Sequence, residues 1–322
     1  MSTFARRHSA QHHTCTCGRF APSPTGRIHL GNIYSMLIAW LSARSQQGRV
    51  VMRIEDLDPR AANKQWTTML RDDTQKLGLY WDGDVVYQHD RIELYQEALS
   101  CLEESDLIYP CFCTRADLHA ASAPHASDGT PLYAGTCRDL TTEQIAHRMR
   151  TRKPAMRLKV PNKEIQFEDR NFGTITENLA DECGDFVVQR SDQIYAYQLV
   201  VVIDDALMGV NEVVRGSDLL GSCARQIYLQ DLLGFDHPSY AHIPLLIAPD
   251  GHRLSKRNQD CSIDELLRIF GSAEALLGKL AYATGLAPTD EPTTAEKLVE
   301  IFDWDLVRAM PRSIVIDDTF FS

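Results

Sequence analysis

The chain has 322 residues, enough for two or three packed units rather than one. Apolar residues make up 44% and charged residues 24%, the balance of an ordinary soluble globular chain, and no stretch approaches the roughly 18 to 20 apolar residues of a membrane span. The net charge of −11 argues against general RNA binding and leaves room only for a local, specific RNA contact.

Residues 1–18, MSTFARRHSAQHHTCTCG, carry basic residues but no apolar core of a signal peptide, so they are expected to be a disordered polar tail of a cytoplasmic protein. Gly18 to Ala21 predicts a short strand that enters the turn Pro22-Ser23-Pro24-Thr25-Gly26. From Asn32 the pattern IYSMLIAWLSARSQ predicts a buried helix, with Gly48 beyond its end. Val50 to Ile54 is a β-branched run bounded by Gly48 and by the acidic cluster Glu55, Asp56 and Asp58, and predicts a second strand. Lys64 to Lys76 has apolar residues at three- and four-residue spacings, and Arg91 to Leu102 predicts another helix. Strand, helix, strand, helix implies an α/β fold with a parallel sheet.

The character changes at Pro110. Residues 111–185 are rich in Cys, Ser, Gly and Pro, with short strand-like pieces such as Ala155 to Val160, and read as an insertion. Buried-strand patterns return at Phe186 to Val188 and at Leu199 to Ile203. A helix follows around Leu219 to Leu233, then a strand at Ile243 to Ile247. Residues 261–322 are expected to be helical and acidic. The core is therefore expected in two halves, 19–110 and 186–260.

Three constellations carry chemistry. The first is the segment from Pro22 to Asn32 between a strand and a helix. Ligands of open parallel sheets bind outside the C-terminal strand ends, and a helix N-terminus offers unpaired N–H groups to a phosphate. His29 can donate to a phosphate oxygen, while Gly26 and Gly31 let the backbone approach a ligand; taken alone, such a histidine is more often structural. The second is Gly251-His252-Arg253-Leu254-Ser255-Lys256-Arg257, where Lys256 can neutralise charge as pyrophosphate leaves. Alone, it reads as a solvated basic turn. The third is Cys111-Phe112-Cys113 with the distant Cys137, three thiolates that can hold a tetrahedral Zn²⁺ with a nitrogen or oxygen fourth ligand. Buried free thiols are the plain alternative. The nine cysteines are odd in number, which argues against a disulfide framework. Cys15, Cys17, His12 and His13 also have ligand-like spacing, but lie in the polar tail.

Taken together, the first two sites resemble the paired motifs of class I aminoacyl-tRNA synthetases. His29-Leu30-Gly31-Asn32 stands at the HIGH motif, with Asn32 in place of its second histidine, and Arg253 to Arg257 stands at the KMSKS loop. The flanking RFAPSPTG at 19–26 and RIEDLD at 53–58 are similar to the glutamyl branch, over roughly residues 19 to 260. The resemblance implies a Rossmann-type catalytic core with an inserted zinc-bearing α+β subdomain and a small C-terminal helical segment. It implies ATP contacts at Pro22, His29, Gly31, Asn32, Ser255 and Lys256, with His29 and Lys256 catalytic and Mg²⁺ accompanying ATP.

Glutamate has two carboxylates and one ammonium, so a selective site needs two cationic contacts and one anionic partner. The family's glutamate-contacting positions fall here on Arg19 and Arg215 as cations, Glu55 as ammonium partner, and Ser23 and Tyr197 as hydroxyl donors. Which arginine takes which carboxylate is open, as is Tyr197 against Tyr195. The resemblance also adds Tyr133, in a YxxxC arrangement with Cys137, as a fourth zinc ligand, with His119 or His125 as alternatives.

The chain ends at Ser322, soon after the Lys256 loop, and no anticodon-reading domain is expected. In this it resembles the truncated glutamyl-Q branch, which attaches glutamate to queuosine in the anticodon loop of tRNA(Asp). A compact enzyme that holds one anticodon arm needs fewer phosphate contacts, consistent with the acidic charge. A monomer that activates L-glutamate without tRNA is expected. Two other readings stand beside it: a truncated conventional glutamyl-tRNA synthetase charging tRNA(Glu), and a non-catalytic RNA-binding or zinc regulatory paralogue.

Overall fold

A computed structural model describes residues 4–5, 8, 15–60, 63–114, 116–117, 132–252, 254 and 262–321. Strand β1 (Cys17–Phe20) is wholly buried and pairs in parallel with β2 (Arg49–Ile54), which pairs in parallel with β3 (Val86–Tyr87). Helix α1 (Leu30–Ser45) joins the first two strands and is buried on nearly every side, as its apolar run from Met36 to Leu41 requires. His29 is its N-cap, and its backbone N–H donates to Asn32 Oδ1 at 3.2 Å. Asn32 thus closes the first turn. At the other end, a Cβ on Gly48 would lie 2.5 Å from the Thr16 carbonyl oxygen, so only glycine lets the chain turn into β2 there.

Helices α2 (Lys64–Lys76) and α3 (Ile92–Glu104) follow on either side of β3. The chain then builds a separate antiparallel sheet from β4 (Ile108–Cys111), β5 (Ala155–Leu158) and β8 (Phe186–Gln189), in that order. Helix α4 (Thr142–Met149) precedes β5. Between β5 and β8 runs a hairpin, β6 (Glu164–Asp169) and β7 (Gly173–Asn178). Two sheets thus share the segment 111–185, because β6 pairs in parallel with core strand β10 (Ser239–Ile243). Strand β8, expected in the core, belongs to the antiparallel sheet.

Residues Tyr197–Leu207 form helix α5, not the strand expected at Leu199 to Ile203. A continuous apolar run has no period to separate the two, and here it is buried on all sides, where β-branched residues pack as well on a helix. Strand β9 (Glu212–Gly216) pairs in parallel with β10, with helix α6 (Cys223–Leu233) between them in sequence. Asn211 binds β9 to β1: its side chain accepts from Cys17 N–H at 2.7 Å, and its backbone N–H donates to the Cys17 carbonyl at 3.1 Å. The sheets β3-β2-β1 and β9-β10-β6-β7 therefore lie side by side along β1 and β9, a doubly wound order whose switch point falls between those two strands. Neighbouring residues face opposite sides: Val214 and Ala241 pack with α1, and Val213 and Tyr240 with α3, α5 and α6.

Strand β11 (Leu245–Ile247) leads into α7 (Ile263–Phe270), α8 (Ala273–Thr284), α9 (Ala295–Ile301) and α10 (Trp304–Ala309). A short strand, β12 (Ser313–Val315), then returns to pair with β11, an addition to the all-helical expectation. These elements share the core of α1. Tyr34 Oη donates to Met310 Sδ at 3.3 Å, and Trp304 Nε1 to Ser42 Oγ at 3.1 Å. In the stretch expected as a disordered tail, Phe4 is buried edge-on against Phe235, 5.8 Å between ring centres, and Cys17 is already inside β1. His12 and His13 lie outside the described residues. No helix among the described residues is long and apolar enough to cross a membrane.

Candidate active site

The C-terminal ends of β1, β2 and β9 meet at the switch point and leave a cleft of about 370 Å³. Arg19 from β1, Glu55 just beyond β2, Arg215 from β9 and Tyr197 at the head of α5 all line it, with Pro22, Ser23 and Asn32 from the segment that enters α1. Sequence positions almost two hundred residues apart converge because the parallel strands all end on one side. The Glu55 N–H donates to the Pro22 carbonyl at 3.0 Å, which clasps the loop after β1 to the loop after β2.

The charges in the cleft are held from behind. Arg19 is buried; its Nη1 donates to the Val214 carbonyl at 3.0 Å, and its Nε stands 3.7 Å from Asp205. Burial lowers its pKa, with Asp205 opposing. Behind Glu55 lies Arg53, fully buried, which bonds Glu55 at 3.1 Å and makes a short bond to Asp205. Burial alone would lower the Arg53 pKa; the carboxylates of Asp205, Glu55 and Asp204 outweigh it and raise it. Asp204 takes further donors from Gln88, Arg91 and Tyr95, at 2.7 to 3.0 Å. Burial lifts the Glu55 pKa above the ordinary value, against the pull of Arg53 and Arg19.

Arg215 has the fullest set of partners. Its Nε donates to His242 Nε2 at 2.9 Å and its Nη1 to Gln226 Oε1 at 2.9 Å. Its Nη2 reaches the Leu219 carbonyl at 3.3 Å and Cys223 Sγ at 3.1 Å. The longest contact, Nη1 to Tyr197 Oη at 3.5 Å, lies on the side of the cleft both residues line. Tyr195 points elsewhere, into the second core against Tyr95, with ring centres 5.7 Å apart.

At the head of α1 a second hollow of about 270 Å³ is lined by residues Thr25 to His29 with Trp66 and Ser262. His29, Gly31 and Asn32 sit at the positive end of the helix, where the His29 side chain itself caps the Asn32 N–H of the first turn. Ser255 and Lys256 lie outside the described residues.

In the insertion, the Cys111, Cys113 and Cys137 sulfurs all lie within 4.8 Å of one another, close enough for one metal ion. Tyr133 Oη joins them, 3.5 Å from Cys111 Sγ and 3.8 Å from Cys113 Sγ. Phe112 N–H and Arg148 Nη1 donate to Cys137 Sγ at 3.5 and 3.6 Å, partners that suit a thiolate. The Arg157 guanidinium covers the Tyr133 ring at 3.8 Å. The donor set thus fits a metal. His119 and His125 lie outside the described residues.

Arg53, Asp204, Asp205, Asp169 and His242 were not singled out from sequence. The signal for two of them is present: Asp204 and Asp205 interrupt a wholly buried apolar run, and a buried carboxylate needs a cation. No sequence signal marks His242.

The fold and the motifs agree with what is known of other proteins. Residues 16–315 match the family of class I tRNA synthetases (E and Q), catalytic domain. The chain belongs to that family. Its relatives include a glutamyl-Q tRNA(Asp) synthetase from Symbiobacterium thermophilum, 44% identical over 89% of this chain and 92% of the relative. Another from Nitratidesulfovibrio vulgaris is 42% identical, over 88% and 90%. Among solved structures, a glutamate tRNA ligase from Elizabethkingia meningosepticum in complex with its amino acid superposes with a TM-score of 0.78. It has 23% identity and spans 95% of this chain and 68% of that one, a likeness of fold.

Proposed function

We propose that this chain activates L-glutamate with ATP, without tRNA, and transfers it to queuosine in the anticodon loop of tRNA(Asp). The observation that carries the reading is the charge pattern of the cleft. Two guanidiniums, Arg19 and Arg215, and the Glu55 carboxylate complement the two carboxylates and one ammonium of glutamate, while a second carboxylate, Asp218, also lines the cleft. Ser23 and Tyr197 supply hydroxyls beside them.

With glutamate so held, its α-carboxylate oxygen attacks the ATP α-phosphorus and the bond to pyrophosphate breaks. No protein nucleophile is needed. The enzyme's part is placement and charge stabilisation. His29 and the N-terminus of α1 face the phosphates, with Pro22, Gly31 and Asn32 shaping the approach; Ser255 and Lys256 meet the departing pyrophosphate, and Mg²⁺ accompanies ATP. A hydroxyl of the queuosine cyclopentene diol then attacks the activated carbonyl and AMP leaves. The glutamyl-Q relatives, at 42% and 44% identity, support this acceptor. Cys111, Cys113, Tyr133 and Cys137 would hold one structural Zn²⁺, whose chemistry is to cross-link the insertion. We place the enzyme in the cytoplasm, as a monomer.

Glutamate-dependent ATP–pyrophosphate exchange without tRNA is the primary test. It should be present, and Lys256→Ala should lower it while leaving the thermal unfolding midpoint unchanged. No exchange would leave a conventional tRNA-dependent enzyme or a silent paralogue. Labelled glutamate should then pass to tRNA(Asp) only when queuosine is present; labelling of tRNA(Glu) at its 3′ end would refute the acceptor. Metal analysis should find about one zinc per chain, as one tetrahedral site of this donor set holds. Cys111→Ser should lose it.

A further inference from the structure

Three strands bring Asp169, His242 and Arg215 into one row. His242 is the register partner of Arg215 across β10 and β9, and the β6–β10 pairing ends at Asp169 opposite Tyr240. All three side chains are buried. The Asp169 carboxylate takes the place of a ladder carbonyl and accepts the His242 backbone N–H at 3.1 Å. It also accepts the N–H groups of Asn171 and Phe172, at 3.0 and 2.9 Å, and meets His242 Nδ1 at 2.6 Å. On the other side of the ring, Arg215 Nε–H points at His242 Nε2.

An ionised Asp only accepts and an Arg only donates. With Asp169 at Nδ1 and Arg215 at Nε2, one ring proton satisfies both: it must sit on Nδ1. The Arg215 Nε–H aimed at Nε2 leaves no place for a second ring proton, so the ring is neutral; burial and the Arg215 charge, with Asp169 opposing, likewise hold its pKa down. Asp169 itself is kept ionised: burial raises its pKa, but the His242 contact and the backbone donors lower it further.

We propose that His242 is a positioning residue of the glutamate site, locked by Asp169 as the Nδ1–H tautomer so that its Nε2 lone pair fixes the Arg215 guanidinium facing the substrate carboxylate. The proposal rests on the glutamate reading of the cleft. It has a structural corollary: Asp169 lies on the hairpin of the inserted segment, so that segment completes the substrate pocket by way of the core sheet.

The Asp169→Asn variant separates this role from simple packing. It keeps shape, and its Oδ1 can still accept the Asn171 and Phe172 N–H groups and the His242 N–H at 3.3 Å, but its amide N–H₂ faces Nδ1. The ring proton then moves to Nε2, where it opposes Arg215 Nε–H, donor against donor. Histidine ¹⁵N spectra, with His242 assigned by its absence in His242→Gln, should show a neutral Nδ1–H ring in the natural chain and an Nε2–H ring in Asp169→Asn. In glutamate-dependent exchange, the KM for glutamate should rise about tenfold or more in Asp169→Asn, the scale of a hydrogen bond to a charged group. The KM for ATP and kcat should change by less than about threefold, the signature of lost ground-state binding. An Nε2–H ring in the natural chain, an unchanged glutamate KM, or equal rises for glutamate and ATP would overturn the proposal. The tautomer of the natural chain needs only His242→Gln for its assignment, so it is decided even if Asp169→Asn does not fold. A natural chain with the Nδ1–H ring but no glutamate-dependent exchange would sink the substrate reading and leave the tautomer lock standing.

Discussion

At the scale of single residues, Glu55 shows why a carboxylate that lines a cleft needs support from behind. It lines the cleft, and burial raises its pKa. Arg53 offsets that cost from a fully buried position and is in turn balanced by Asp204 and Asp205. Removing the charge should therefore weaken substrate more than it weakens the fold. Glu55→Gln should raise the glutamate KM by about 10- to 100-fold, the range of a charged hydrogen bond, with ATP KM unchanged. A pH dependence follows with a definite sign. The ammonium partner is lost as Glu55 takes up a proton, and its pKa stands above the ordinary value. Glutamate KM should thus climb on acidification at a higher pH than an unperturbed glutamate would give, and the climb should be absent in Glu55→Gln. Steady-state exchange across mildly acidic pH reads both.

At the scale of elements, what was legible in the sequence follows physical reason. Lys64–Lys76 was readable because its apolar spacing is that of a one-sided helix. Tyr197–Leu207 was not, because burial on every side removes the periodicity. The residues proposed to face a ligand were legible at Pro22 to Asn32, next to glycine-rich turns, but the supports behind the cleft were not. His242 reaches Arg215 only through strand register, which the local sequence does not encode. Close packing sets other limits. Gly278 sits in the middle of α8, where alanine would favour the helix by about 1 kcal/mol. A Cβ there would lie 2.1 Å from the Glu291 carbonyl oxygen, backbone that cannot swing aside. Overpacking of that kind costs about 1–3 kcal/mol, so the clash wins. Gly278→Ala should lower the urea unfolding midpoint; an equal or higher midpoint would show that the Glu291 loop yields.

At the scale of the whole molecule, the charge is uneven. Residues 144–163 contain seven of the Lys and Arg residues and no Asp or Glu, in a chain of net charge −11. Arg157, Lys159 and Lys163 are taken up by Tyr133, Asp106 and Asp231. Arg150 and Lys153 are exposed, beside the exposed Met149. RNA affinity should therefore depend on this stripe and fall with salt. Arg150→Glu with Lys153→Glu should weaken tRNA binding and make its salt dependence shallower, by about one unit of log–log slope per phosphate contact removed. Glutamate-dependent exchange should be unchanged, since both residues lie on the insertion away from the cleft. Filter binding over a salt series distinguishes this from a loss of fold.

The sequence by itself determined the family, the candidate ligand groups and the order of most strands and helices. Each of these is written in local spacing: a motif, a period, a turn residue. The tertiary structure alone decided that the inserted hairpin joins the core sheet and that the C-terminal helices share the core of α1. It also decided that Asp169, His242 and Arg215 form one line across three strands. Contacts of that kind join residues far apart in the chain, and only register and packing bring them together.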